Sequence, residues 1–135
     1  QREVADRIVA RPGGREYGVL SILVQLHADV SIVLTLPPGA FRPPPAVRSS
    51  VIRLRFRPPA VALSDEPGFE AMVRSMFTQR RKTLANALGP HAKATGRRAP
   101  EVLARAGIDP KRRPETLQLI ELAQLAEQFS SPMPE

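Results

Sequence analysis

Three cations in a row, Arg80-Arg81-Lys82, open a segment through Leu88 whose apolar residues recur at helical spacing. Guanidinium and ammonium groups at that density suit the phosphates of a polyanion, and a helix N-terminus adds free backbone donors. Read alone, such a run is more often a solvated helix start. Arg97-Arg98 and Lys111-Arg112-Arg113 repeat the pattern nearby, and Arg74 precedes it. Several such clusters within one short stretch favour RNA or DNA backbone contact. A second stretch, Phe41-Arg42-Pro43-Pro44-Pro45, sets one aromatic ring in a loop stiffened by proline. Such a ring can stack on an extruded base, although an aromatic beside prolines is more often local packing.

Other chemistry has little support. The two histidines, His27 and His91, are too few for a His-based metal site, and there is no cysteine for a thiolate. The eight glycines are scattered, with only Gly13-Gly14 adjoining, so no glycine-rich phosphate loop follows a strand. No Ser/His/Asp constellation has recognisable spacing. His27 lies on an apolar row and reads as structural; His91, after Gly89-Pro90, reads as exposed. Asp65-Glu66 resembles a helix start rather than an acid/base pair.

Charge is distributed unevenly over the 135 residues and their net +7. Residues 1–63 carry +5, residues 64–114 carry +6 and residues 115–135 carry −4. The positive field belongs to the body of the chain and points to a polyanionic partner through counterion release. An apolar fraction of 42% suffices for a core. No apolar run reaches the ~18 residues of a membrane span, and no secretory pattern opens the chain; the expectation is a cytoplasmic protein without a membrane partner or a metal. Gln1 already lies in helix-like sequence with no cap before it, which suggests that the natural chain begins upstream.

These residues need elements to position them. Gln1–Ala10 reads as helix, with Val4, Ile8 and Val9 on one face, and Pro12-Gly13-Gly14 ends it. Tyr17–Ala28 is a second helix with a Leu20, Leu23, Val24, His27 row, widened by Ile22 and Leu26. Val30–Leu36 is β-branched and fits a strand; Val47–Phe56 alternates apolar residues with Arg53 and Arg55 and fits another. The proline run between them predicts a stiff, extended loop, because prolines remove ladder donors. Pro58–Pro67 reads as a linker. Beyond it, helices are predicted at Gly68–Thr78, Arg80–Leu88, Pro100–Ala106 and Leu117–Phe129, without a good strand. Extending the apolar stripe Phe69, Met72, Val73, Met76, Phe77 at 100° per residue would bring Arg80 onto it. A helix break near Thr78–Gln79 avoids burying an unpaired arginine, and places Arg80 at the start of a new helix. From the residues alone, the chain is a basic α/β piece followed by an all-helical one that binds nucleic acid. A stand-alone RNA-binding or ribosome-assembly module fits the same residues. A helical DNA-binding regulator fits the basic helices but not the two strands.

Four stretches, in order, resemble the C-terminal half of the KsgA family, the S-adenosylmethionine-dependent rRNA adenine N6,N6-dimethyltransferases. They are Tyr17-Gly18-Val19-Leu20-Ser21 through Gln25; Phe41, Pro43, Pro45, Val47 and Ser49 as F-x-P-x-P-x-V-x-S; Arg80 through Leu88 as R-R-K-T-L-x-N-x-L; and Gly107-Ile108-Asp109-Pro110 with Arg113, Glu115 and Leu117. The resemblance implies an α/β fold class: the C-terminal part of a Rossmann-like methyltransferase domain over residues 1–60, then a small all-helical rRNA-binding domain over 61–135. It implies a target-adenine pocket holding Phe41, Pro43 and Pro45. It implies rRNA contact by Arg80, Arg81, Lys82 and the neighbouring cations Arg74, Arg97, Arg98, Lys111, Arg112 and Arg113. The implied reaction is methyl transfer from S-adenosylmethionine to two adjacent adenines of small-subunit rRNA, in the 30S ribosomal precursor, by a monomeric enzyme. The family's glycine-rich cofactor loop, acidic ribose-binding residue and N-L-P-Y motif would lie upstream of Gln1. No catalytic or cofactor-binding residue is therefore expected in this chain, which alone should be inactive. The commonly basic position of the second motif is Ala46 here, flanked by Arg42 and Arg48.

Overall fold

Helix α1, Arg2–Val9, leaves its last carbonyls without helical partners. Helix α2, Val19–His27, supplies the missing donors. Gln25 Nε2 donates to the carbonyls of Ile8 and Ala10, both at 2.8 Å, and the Ser21 hydroxyl donates to the carbonyl of Arg7. Between the helices Gly13 adopts φ +85°, where a side chain would be strained, and the turn closes through Gly14 N–H to Arg11 O at 3.0 Å. This pairing explains why the buried face of α2 is Ser21, Ile22, Gln25 and Leu26 rather than the expected Leu20–His27 row. Two polar side chains are buried because the end of α1 needs them. The α1 face shifts as well: Ala5 is buried, whereas Val4 is exposed.

The chain passes directly from α2 into strand β1, Ala28–Leu36, which pairs antiparallel with β2, Ser49–Phe56. The register runs from Ala28 opposite Phe56 through Ile32 opposite Ile52 to Leu36 opposite Ser49, with a bulge between Ile32 and Leu34. Among the described residues the two strands make the whole sheet, so each has one edge without a ladder partner there. Arg57 fastens the hairpin base to α2. Its guanidinium donates to Asp29 Oδ1 at 2.9 Å and to the carbonyls of Gln25 (2.8 Å), Leu26 (3.1 Å) and Ala28 (3.2 Å).

The computed structural model describes residues 1–130, in two units divided after Ala60. The first, Gln1–Ala60, is centred on Tyr17, Ile22, Leu26 and Ala28. It leaves Ile32, Val33, Leu34, Val51, Leu54 and Phe56 exposed, Phe56 at 76%. The second unit begins at Val61 and is helical throughout its described part: α3 Glu66–Phe77, α4 Leu84–Ala87, α5 Gly89–Ala94, α6 Ala99–Ala106 and α7 Leu119–Ser130. Phe69, Met72, Met76, Leu84, Leu88, Leu103, Leu117, Leu122 and Leu125 are fully buried in it. Asp65 caps α3 by accepting from Gly68 N–H at 3.0 Å. Glu127 of α7 accepts from the backbone N–H and hydroxyl of Ser64 just ahead of that cap. Gly107 ends α6 in the left-handed region at φ 70°, and Ile108 N–H returns to Leu103 O at 3.0 Å.

Four expectations from the sequence need correction. Pro67 is not linker but the second residue of α3, where its missing N–H has no helical partner to lose. The Arg80–Leu88 helix is instead the short α4, followed by α5, which Gly89-Pro90 opens rather than interrupts. His91 is buried, 9% exposed, and packs edge-on against the ring of Phe129 at 4.7 Å. The stretch between the strands is not uniformly extended: Pro38–Ala40 forms a 3-10 turn, the Arg42–Pro43 bond is cis, and β2 begins at Ser49 rather than Val47.

Candidate nucleic-acid interface

The break after α3 falls where the phase of the apolar stripe requires one. Thr78 N–H bonds to Ser75 O and Gln79 N–H to Met76 O, tightening the helix end, and Lys82 N–H bonds to Gln79 O at 3.0 Å. Thr83 then takes an extended conformation, ψ 159°, and α4 starts at Leu84. Arg80, Arg81 and Lys82 therefore sit in a turn between helices and do not begin one. Arg81 and Lys82 are exposed and Arg80 is half-buried; none of the three side chains bonds to another described residue. No hydrogen bond or counterion within the described protein competes for their charge.

The expected free donors at the α4 N-terminus are occupied by the protein itself. Leu84 N–H donates to Arg112 O at 2.7 Å and Ala85 N–H to Pro110 O at 3.1 Å. The next two amides, of Asn86 and Ala87, return to Thr83 O. The helix end thus cannot cradle a phosphate. It anchors the loop 108–113 instead, through the carbonyls of Pro110 and Arg112, the chain neighbours of Lys111 and Arg113. Both side chains are exposed and form no ion pair with described residues. The loop has its own internal frame: Asp109 accepts from Lys111 N–H at 2.9 Å through its side chain and from Arg112 N–H at 3.2 Å through its carbonyl.

Arg112 differs from its neighbours. Its guanidinium makes a two-pronged contact with the Glu121 carboxylate, the second prong at 3.0 Å, and donates to Thr116 O at 2.8 Å. Gln118 N–H donates to the same carboxylate at 3.0 Å. The arginine fork holds the Glu121 carboxyl below its ordinary range, and the carboxylate in turn raises the guanidinium. Arg112 is committed within the fold and is not a free phosphate ligand. Arg97 is committed too, donating to Gln128 O at 3.0 Å. Arg74 pairs with Glu70 at 2.9 Å and Arg98 with Glu101 at 3.7 Å, on exposed or half-exposed positions where such pairs are weak and readily exchanged. Nothing in the sequence marks Glu121 and Thr116 as partners of Arg112; the only hint is the acidic tail opposing a basic body. Glu115 Oε2, in the 3-10 turn Pro114–Thr116 of the same loop, is buried without a hydrogen-bond partner.

In the first unit, Phe41 follows the Pro38–Ala40 turn, its N–H bonded to Pro38 O at 3.2 Å. Phe41 is 38% exposed, Pro43 is exposed and Pro45 is half-buried. A cavity of about 290 Å³ opens nearby in sequence, lined by Val47 and Arg48 with Gln1, Arg2 and Glu3, where Arg2 N–H bonds to Arg48 O at 3.0 Å. Arg53 and Arg55 project from β2 without ion-pair partners among the described residues.

The described residues do not fit an adenosyl cofactor. A nucleotide-type loop needs glycines between a strand and a helix. Here the one glycine pair follows α1, and its turn leads into a second helix. No group of three or more histidine, cysteine, aspartate or glutamate side chains among the described residues is arranged to hold a metal ion. No described helix is long and apolar enough to cross a membrane.

Comparison with known proteins gives a consistent result. The family model for ribosomal RNA adenine dimethylase matches residues 1–125. A ribosomal RNA small subunit methyltransferase A of Anaeromyxobacter sp. strain K is 53% identical over 125 residues, covering 93% of this chain and 44% of that protein. The protein of the same name from Pelotomaculum thermopropionicum is 48% identical over 131 residues, 96% of this chain and 44% of the relative. The chain thus spans less than half the length of these relatives. Among solved structures, a dimethyladenosine transferase from Plasmodium falciparum superposes with a TM-score of 0.77 at 22% identity, covering 96% of this chain and 55% of that one. The 23S rRNA methyltransferase ErmE superposes with 0.57, also at 22% identity, covering 97% and 52%. Both show that the fold is one found in methyltransferases.

Proposed function

The chain belongs to the ribosomal RNA adenine dimethylase family, and from that premise we propose that it is the substrate-holding part of a small-subunit rRNA adenine N6,N6-dimethyltransferase. On this reading Gln1–Ala60 is the C-terminal part of a Rossmann-like methyltransferase domain, and the residues from Val61 form an rRNA-binding helical domain. The whole enzyme moves methyl groups from S-adenosylmethionine to the exocyclic amines of two adjacent adenines, twice each, as a cytoplasmic monomer acting on the 30S ribosomal precursor. We assign no residue of this chain to methyl transfer or cofactor contact. Its residues hold RNA.

The observation that carries the reading is the turn Arg80–Lys82. Three cations without counterions among the described residues directly precede α4, whose first two amides bond to Arg112 O and Pro110 O in the loop that carries Lys111 and Arg113. Uncommitted charge fixed on a rigid frame is what backbone recognition requires, since phosphate contacts position a nucleic acid without reading its sequence. Arg74 and Arg98 extend the surface by exchanging weak pairs for phosphate, whereas Arg112 and Arg97 support the fold. Phe41 offers an aromatic face to the target base.

The test is the salt dependence of RNA binding. Arg81→Ala should weaken binding of a short RNA hairpin and flatten the dependence of log K on log salt by about 0.7–0.9, the value of one phosphate contact. An unchanged slope would return the turn to a solvated surface.

A further inference from the structure

The acidic residue Glu121 stands next to a surface proposed to bind a polyanion, and simple electrostatics makes it a hindrance there. The geometry gives it another role. Its carboxylate is gripped by both arms of Arg112 and by Gln118 N–H at 3.0 Å. Arg112 also donates to Thr116 through its side chain, at 2.8 Å to the carbonyl and 3.3 Å to the hydroxyl. The carbonyl of this same arginine accepts from Leu84 N–H at 2.7 Å, one of the two bonds that fix the start of α4 directly after Lys82-Thr83. A path of hydrogen bonds thus runs from the first turn of α7 through Arg112 to Leu84, the first residue of α4 and two residues past Lys82, with Lys111 and Arg113 on either side of its middle member.

We propose that Glu121 is a positioning residue for RNA binding: acting through Arg112, it holds the loop 108–113 against α4 and keeps Arg80–Lys82, Lys111 and Arg113 on one surface. This rests on the RNA-binding reading of that surface. It sets two effects against each other with opposite signs. Removing a negative charge beside a basic surface should tighten polyanion binding and steepen its salt dependence. Removing the clamp should scatter the cations and do the reverse. Arg112, whose carboxylate-matched fork is the clamp, should tolerate lysine poorly although the charge is kept, because an ammonium cannot span both carboxylate oxygens and the Thr116 carbonyl.

The experiment measures anisotropy of a labelled short RNA hairpin against the parent, Glu121→Gln, Arg112→Lys and Arg81→Ala in the 135-residue chain, below the concentration at which sedimentation shows self-association, at several KCl concentrations, with helical circular dichroism and Tm for each. The expected result is weaker binding by Glu121→Gln and Arg112→Lys, each with a slope reduced by about 0.7–0.9 for every phosphate that is no longer held. A smaller folded fraction would lower the apparent affinity but leave the slope intact, so the slope separates positioning from stability. Should Glu121→Gln fail to fold, Arg112→Lys, which keeps the charge and a single contact, decides. Tighter or unchanged binding by Glu121→Gln, with Arg81→Ala still flattening the slope, would overturn the positioning role and leave the RNA surface standing. An Arg81→Ala slope equal to that of the parent would remove the RNA surface and the proposal with it.

Discussion

Replacing Arg57 by alanine should loosen the junction between α2 and the hairpin more than any other single surface-charge substitution in the first unit. The side chain is 28% exposed and reaches Asp29 and the carbonyls of Gln25, Leu26 and Ala28. These contributions are unequal. Asp29 is 67% exposed, so its ion pair is worth about 0–1 kcal/mol. Leu26 O keeps a partner, since Ala60 N–H also bonds to it at 2.9 Å. The Pro58 carbonyl, reached at 3.3 Å in an exposed position, returns to water. That leaves the Gln25 and Ala28 carbonyls losing a charged donor, at about 1–1.5 kcal/mol each in a partly wet setting. The expected loss is about 2–3 kcal/mol, roughly 30- to 150-fold in a local opening equilibrium. Hydrogen exchange read by mass spectrometry over residues 19–60 is the assay, because it isolates this unit. Protection at Arg57 N–H, bonded to His27 O at 3.0 Å, or at its alanine replacement, should fall by that factor. Arg57→Lys should recover less than half of the loss in free energy. A change below threefold would show that the carbonyls find water at no cost and that Arg57 does not staple the hairpin.

Three further outcomes are expected. His91 is buried against Phe129, and burial lowers its pKa from the ordinary 6.5. The unfolded chain therefore binds this proton first, so the helical unit keeps full stability above pH 6.5 and loses it as pH falls from there to the folded-state value; His91→Leu should abolish that slope in urea titrations, and an unchanged slope would place the proton elsewhere. Glu121, lowered from 4.5 by Arg112, adds a second loss only below that pH. On the proposed reading of Phe41, Phe41→Ala in a whole methyltransferase that contains this chain should lose about 1–3 kcal/mol of base stacking in the methylation kinetics, and unchanged kinetics would exclude stacking. The 135-residue chain by itself should self-associate in sedimentation experiments, because β1 and β2 each keep an unpaired edge beside exposed Val33, Leu34, Val51 and Phe56; a monodisperse, cooperatively folding monomer would refute this.

The two strands are readable in the sequence because β-branched and alternating residues leave a local signature, and the hairpin pairs them with a single bulge. The phase of the stripe at Arg80 is equally informative, since an unpaired arginine cannot follow Met76 into a core. What escapes are features set by contacts distant in sequence. The buried face of α2 carries Ser21 and Gln25 to serve the carbonyls of α1, and no periodicity of apolar residues shows that need. His91 looks like a loop residue after Gly89-Pro90. Its ring is inside because Phe129 of α7 reaches it, and Pro90 at the first turn of α5 starts a helix as readily as it stops one. The basic clusters are visible as charge, but charge alone cannot say which arginines already have partners.

That last distinction bears on what a motif contains. R-R-K-T-L and G-I-D-P lie far apart in the sequence, yet Leu84 N–H on Arg112 O and Ala85 N–H on Pro110 O make them one object. Within it, cations that resemble one another in sequence divide into two kinds. Arg112 satisfies a carboxylate and a carbonyl, and its removal would leave Glu121 partly buried without a counterion, a cost beyond that of an exposed pair. Arg81 and Lys82 satisfy nothing in the described protein, so their removal should be nearly silent in stability. Stability and RNA affinity should therefore respond to different residues of the same patch. Arg81→Ala should change the salt slope with Tm held, and Arg112→Ala should change both. If the two substitutions instead gave the same ratio of stability loss to affinity loss, the patch would act as a single structural unit and its cations would not divide into two kinds.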